Sequence, residues 1–209
     1  MKKILILCIV LIAVSGFSQS LKATYTVTAG SVSPRGSAKK PLPSVFTYEY
    51  SKGKSLLTKI TDPDLYPDLK RLPENIFYKD LKRGLFRWEV TFGLNTYSIK
   101  DKLDVFDWKI SSETENINGY LCTKATCLLN EVRVTAWFCP TINVSDGPLM
   151  YNGLPGFIIR VINEDNSEMI ASDIEIIKES FQIKEPVPKN NITSMRDFER
   201  LTRTTLTQP

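Results

Sequence analysis

Two acidic pairs and four cysteines are the groups in this 209-residue chain that could carry chemistry, and there is no histidine. Imidazole is the usual general base near neutral pH and the commonest ligand of catalytic zinc, so its absence removes many mechanisms together. Ser-His-Asp sites, Cys-His sites and HExxH metal centres are excluded. Of the acids, Asp62 and Asp64 flank Pro63, and Glu164 and Asp165 follow an apolar run. A glycosidase needs two carboxyls facing each other roughly 5 to 9.5 Å apart, whereas both pairs lie in turn-like sequence where acids are commonly just solvated. Asp62, Asp64 and Asp68 offer hard oxygen ligands, but their spacing lacks the glycine and terminal glutamate of an EF-hand. The expectation is therefore no catalytic residue, no metal and no cofactor.

The cysteines are argued from strand geometry. Asn130-Glu131 reads as a two-residue turn that sets Leu129 opposite Val132, Cys127 opposite Val134 and Cys122 opposite Cys139. Alternation then places Leu121, Ala125, Cys127, Val134, Ala136 and Phe138 on one face, with Cys122, Lys124, Thr126, Arg133, Thr135, Trp137 and Cys139 on the other. A Cys122 to Cys139 bridge would contribute about 3 kcal/mol by the chain-entropy estimate; the alternative is that all three are free thiols. Cys127 faces the apolar side as packing, with no neighbour in sequence to activate it. The spacings match no CxxC-type zinc pattern.

The elements that must position these residues are nearly all strands, because apolar, β-branched and aromatic residues recur with period two. Strands are expected at 21–29, 45–51, 55–60, 76–79, 85–92, 96–100, 107–110, 120–128, 132–139, 157–162 and 169–177. The segment from Ser31 to Pro43 is a basic loop, and Asp62 to Pro73 carries three prolines that bar it from a central strand. After the spacer Glu185-Pro-Val-Pro-Lys, Ser194 followed by Asp197 signals a helix start, with Phe198 and Leu201 as its apolar spacing. Lys2-Lys3, the apolar run Ile4 to Val14 and Gly16-Phe17-Ser18 read as an export leader cleaved between Ser18 and Gln19. Its apolar run is too short to span a membrane, and no second such run follows. Removing those eighteen residues leaves 191 and lowers the formal charge from +4 to +2 as Lys2 and Lys3 leave. That balance argues against a nucleic-acid partner, and Lys39-Lys40 and Lys82-Arg83 read as loop or turn residues.

The most distinctive stretch runs from Ala136 to Ile162. Within it, Tyr151-Asn152-Gly153-Leu154-Pro155-Gly156-Phe157-Ile158 resembles the signature of the GLPGLI family of exported proteins from Gram-negative bacteria, with Phe157 where that name has leucine. Trp108-Lys109-Ile110, Asn118 to Ala125, Ala136-Trp137-Phe138 and Asp146-Gly147-Pro148 agree with it in order and spacing. The Asn130-Glu131 turn departs from it, since family members tend to carry Arg-Gly there. The resemblance implies an exported protein without an established general activity or catalytic set. The bowl-like, non-catalytic domain preceding the catalytic part of some secreted glycan amidases is similar in kind.

The architecture expected is mainly β: one antiparallel sheet curved into a half-barrel or bowl, residues 19–185, after the leader 1–18 and before a spacer and short C-terminal α-helix, 186–209. Gly147, Gly153, Gly156, Pro148 and Pro155 suit tight turns, so Ser145 to Gly156 is either a rigid plug of the sheet or a rim loop contacting a ligand. FIIRVI is too continuous for a half-exposed strand and suggests burial on both faces. Candidate ligand contacts are Tyr151, Leu154, Pro155, Phe157 and Trp137. The function expected is an exported, non-enzymatic envelope, periplasmic or secreted protein that binds a hydrophobic molecule, peptide or glycan, or an envelope partner. A structural module acting by protein contact is the alternative, with a carboxylate hydrolase behind it.

Overall fold

The computed structural model describes residues 19–30, 42–60 and 75–206, with side chains to 202. The leader, residues 31–41 of the basic loop and the segment holding Asp62, Asp64 and Asp68 lie outside them.

The chain is mainly β, as the period-two pattern requires, and its described residues form one open twelve-stranded sheet. The strands are β1 Ser20–Thr28, β2 Ser44–Ser51, β3 Lys54–Ile60, β4 Asn75–Asp80, β5 Leu85–Phe92, β6 Asn95–Lys102, β7 Lys109–Ile117, β8 Tyr120–Leu129, β9 Val132–Cys139, β10 Phe157–Asn163, β11 Glu168–Ile177 and β12 Ile192–Thr193, followed by helix α1, Met195–Leu206. Their order is β12-β6-β5-β4-β3-β2-β1-β11-β10-β9-β8-β7. All neighbours are antiparallel except β12 and β6. Two runs of hairpins, β2 to β6 and β7 to β11, thus meet at β1.

Register fixes which side chains share a face. Ala23, Tyr48, Leu57, Phe77, Trp88 and Ile99 stand opposite one another across β1 to β6, and Tyr25, Ala171, Met169, Val161, Ala136 and Ala125 continue that face through the other half. This is the concave, apolar side. Its closure is visible in the hydrogen bonds: Tyr48 of β2 and Lys79 of β4 reach residues of the loop between β9 and β10, three and five places from β10 in the order. A flat sheet could not bring them together.

Two expectations are corrected. β7 was expected at 107–110, but it begins at Lys109 and continues through the polar Ser111 to Ile117. That stretch has no apolar alternation to read, because β7 is the sheet's exposed edge and its side chains are solvated on both faces. Leu121, placed on the apolar face by alternation, is 63% exposed while Cys122 is fully buried. The hairpin tip explains the exchange: Asn118 and Tyr120 donate to Ala171 and Ile174 carbonyls, folding the β7–β8 turn over the side that carries Cys122.

The rest of the β8–β9 hairpin has the expected register, Leu129 opposite Val132 and Cys127 opposite Val134. FIIRVI is buried as expected; Phe157, Ile158, Ile159 and Val161 are all inaccessible. A bulge between Ile158 and Arg160 leaves Ile159 without a partner on β9, which turns an extra apolar residue into the core.

The tail binds both faces of the sheet. From β11 an extended segment crosses the convex side: the Phe181 amide donates to Ser51, Glu185 accepts from Arg87, and Lys189 and Asn190 amides donate to Ser98. β12 then pairs with the β6 edge, and α1 turns onto the concave side. There Phe198 packs edge-on against Trp88, Phe92 and Tyr97. Ser194 caps α1 as expected, its hydroxyl accepting from the Asp197 amide and donating to the Asp197 carboxylate.

Candidate functional site

The GLPG stretch and the elements around it form a buried polar constellation on the concave face. Lys79 and Asp146 are 1% and 0% exposed and meet at 2.5 Å. Lysine is favoured there only with all three ammonium protons placed, and its other two go to the Gly147 and Tyr151 carbonyls at 2.8 and 3.1 Å. The Tyr48 hydroxyl donates to the second Asp146 oxygen at 2.8 Å. Burial pulls the Lys79 ammonium below the usual lysine range, against the opposing pull of Asp146. Burial, reinforced by the Asp146 charge, raises Tyr25 and Tyr48 well above the ordinary phenol value. A lysine from β4 thus clamps a loop fixed to β9 and β10, and the protons are spent on the chain itself.

The loop's own residues complete the packing. Ser145 donates to the Leu154 carbonyl at 2.7 Å, and Asp146 bridges to Asn152. A Cβ on Gly156 would lie 2.3 Å from the Cys139 carbonyl oxygen, and one on Gly147 would lie 2.6 Å from the Ile158 Cβ. Those two glycines allow the backbone to lie flat on β9 and β10.

The residues expected to touch a ligand fall into different surroundings. Leu154 and Phe157 are inaccessible and Tyr151 nearly so. Tyr151 donates to Asn163 and stacks near Phe106, whose ring lies on Trp108. Phe157 packs between the rings of Tyr25 and Tyr48. Pro155 is exposed at the loop tip. Trp137 lies on the convex face opposite Lys124, whose ammonium sits 6.0 Å from the ring centroid, and is largely covered.

The β8–β9 pairing runs from Leu129–Val132 to Thr123–Phe138, and Cys122 and Cys139, one residue beyond it on each strand, are both free thiols and not the expected bridge. Each finds a local partner instead, Cys122 at the Tyr120 carbonyl and Cys139 at the Thr141 hydroxyl. Burial pushes the Cys122 thiol up to about 12 and that of Cys127 up to about 11, the reverse of what a nucleophile needs. Glu164 and Asp165 cap turns: Glu164 accepts from the Arg133 amide, and Asp165 is held below the usual carboxylate range by the Ser167 hydroxyl and amide. Among the described residues, no group of acids and thiols is arranged to hold a metal ion, and no helix is long and apolar enough to cross a membrane.

Sequence reasoning missed a groove of about 730 Å³ on the convex side, between the tail crossing at 180–183 and the β2–β3 and β4–β5 turns. Its wall includes Lys82 and Arg83, which sequence alone placed in a turn. The available signal was that both turns are basic, Ser51-Lys52-Gly53-Lys54 and Lys82-Arg83, and end neighbouring hairpins.

The family model described as "N-glycanase peptide, N-terminal domain" matches residues 95–201. Two solved structures of PNGF-II, in space groups P21 and C2, align with TM-scores of 0.59 and 0.58 at 17% identity. They cover 88% and 90% of this chain and 33% of each of those chains, so this chain spans about a third of their length. At that identity the likeness establishes the fold. Among curated proteins, none matches.

Proposed function

The chain belongs to the N-glycanase peptide N-terminal domain family, and on that premise we propose that it is a non-catalytic binding module for glycan or glycopeptide, exported to the cell envelope. The observation that carries the reading is how the signature is used. Its Leu154, Tyr151 and the Asp146–Lys79 pair are consumed in closing the bowl, so the most distinctive residues of this chain make shape and not proton transfer. The likeness to a third of PNGF-II adds support, since it concerns a part of a longer protein. The leader cleaved after Ser18 and membership of the GLPGLI group belong to the same proposal.

The test titrates the purified chain from Gln19 onward with a high-mannose glycopeptide, its free glycan and the bare peptide, followed by calorimetry and by mass spectrometry of the ligand. Saturable binding of a glycan-bearing probe that stays intact is expected. Binding of none of the three removes the reading, and release of the glycan from the peptide replaces it with an enzyme. A second reading, an accessory module acting by protein contact, is favoured by the solvated edge strand β7, whose outer backbone groups have no strand partner among the described residues.

A further inference from the structure

The convex groove carries a more specific inference, which rests on the glycan-binding reading and narrows it. Two hairpin turns form one wall because register places them side by side: Ser51 pairs with Lys54, Lys54 with Asp80, and the Leu81 amide donates to the Gly53 carbonyl. Both turns are basic, so Lys52, Lys54, Lys82 and Arg83 project at one lip. The Lys82 stem lies across Gly53, 3.3 Å from where a Cβ would sit, which holds its ammonium beside the Lys52–Lys54 turn.

Charge balance within that wall is incomplete. Asp80 is buried and accepts from the Arg83 amide, and Arg83 shares Glu185 with Arg87. Lys22, further along the same face, is paired with Glu49. Lys52, Lys54 and Lys82 make no ion pair among the described residues. Like charges held this close repel, and an anion placed between them relieves that repulsion while meeting several charge-assisted donors.

The opposite wall is of another kind. It presents the Ser180 hydroxyl, the Gln182 amide and the Phe181 ring, over which Lys22 already sits at 5.4 Å. A ring face, an amide and a hydroxyl are the groups that meet a sugar's C–H face and its hydroxyls. The volume of about 730 Å³ falls in the range of sites for drug-sized ligands and far exceeds one oxyanion. We propose that this groove binds an acidic oligosaccharide of a few units, its carboxylate or sulfate groups on the lysine wall and its rings along Phe181 and Gln182.

The test uses the full chain from Gln19 with five probes in calorimetry: a heparin-derived sulfated tetrasaccharide, tetragalacturonate, neutral chitotetraose, sodium sulfate, and vesicles of phosphatidylglycerol. The comparison variant is Lys52→Asn with Lys82→Gln, chosen because asparagine tolerates the positive φ of 55° at position 52, and its melting temperature serves as the folding control. One acidic tetrasaccharide should bind, with about tenfold or greater weakening in the variant and weakening by salt. Which acidic probe binds identifies sulfate or uronate as the anion. Failure of both acidic probes overturns the inference. In that case binding of chitotetraose, or of the high-mannose glycopeptide, shows that glycan binding survives without it, and the broader reading falls only if the glycopeptide, its glycan and the peptide fail as well. Unchanged affinity in the folded variant, equal binding of sulfate alone, or vesicle binding in place of the oligosaccharides also overturns it.

Discussion

At the scale of single residues, the informative contrast is between Lys79 and Leu154, one polar and one apolar, both buried by the same loop. Lys79 sits in a period-two strand as a lysine among aromatics, and no local pattern marks it as a core residue. It is buried because Asp146, sixty-seven positions later, and two loop carbonyls arrive to receive its protons. Leu154 belongs to a legible signature, yet the sequence leaves open whether it plugs the sheet or lines a rim. The structure puts it wholly inside. Leu154→Asp would bury an unpaired carboxylate and forfeit the leucine's contacts, a loss of about 4 kcal/mol or more, against a total stability of roughly 5 to 15 kcal/mol. The expected outcome is loss of a cooperative unfolding transition in circular dichroism at 25 °C, while Leu154→Met stays within about 1.5 kcal/mol of the parent. A normal melting curve for Leu154→Asp would show that the side chain faces solvent.

At the scale of elements, strands declared themselves where one face is apolar and stayed hidden where neither is. β5 and β9 were legible to the residue because aromatic and β-branched side chains alternate with polar ones; β7 was not, because an edge strand needs only its backbone partner. The β8–β9 register was legible from its turn alone. Asn130 and Glu131 have φ of 50° and 68°, the left-handed pair that a two-residue hairpin turn requires. Asparagine tolerates that region and glutamate does not, at a cost of about 1 kcal/mol. Glu131→Gly should therefore stabilise the chain by about 0.5 to 1 kcal/mol, read as a higher urea midpoint at unchanged slope. A lower midpoint would mean that the glutamate makes a contact worth more than the strain it bears.

At the scale of the whole molecule, closing the bowl buries many groups that must stay protonated. Burial raises the Cys127 thiol from an ordinary 9.0 to about 11, and the Tyr78 and Tyr151 hydroxyls from 10.0 to about 12. Each keeps its proton in the folded chain at a pH where the unfolded chain has lost it. Their contribution is therefore fully present below pH 9 and is lost as pH rises toward 11 and 12. Lys79 opposes this, since its lowered value favours the folded chain as pH climbs toward 10.5, but it is one group against several. The melting temperature should fall steadily between pH 9 and 11, and replacing both raised thiols, Cys122→Ala with Cys127→Ala, should remove the earliest part of the decline whatever it does to the value at pH 7. A flat profile would show that these groups reach solvent in the folded state. Sequence by itself determined the strand content, the β8–β9 pairing, the helix cap and the absence of imidazole chemistry, because each depends on residues close along the chain or on composition. Only the tertiary structure decided that the GLPG loop lies on a buried lysine, that Cys122 is covered while Leu121 is not, and that two basic turns share one groove. Those outcomes depend on which strands become neighbours, and strand order is set by the closing of the whole sheet.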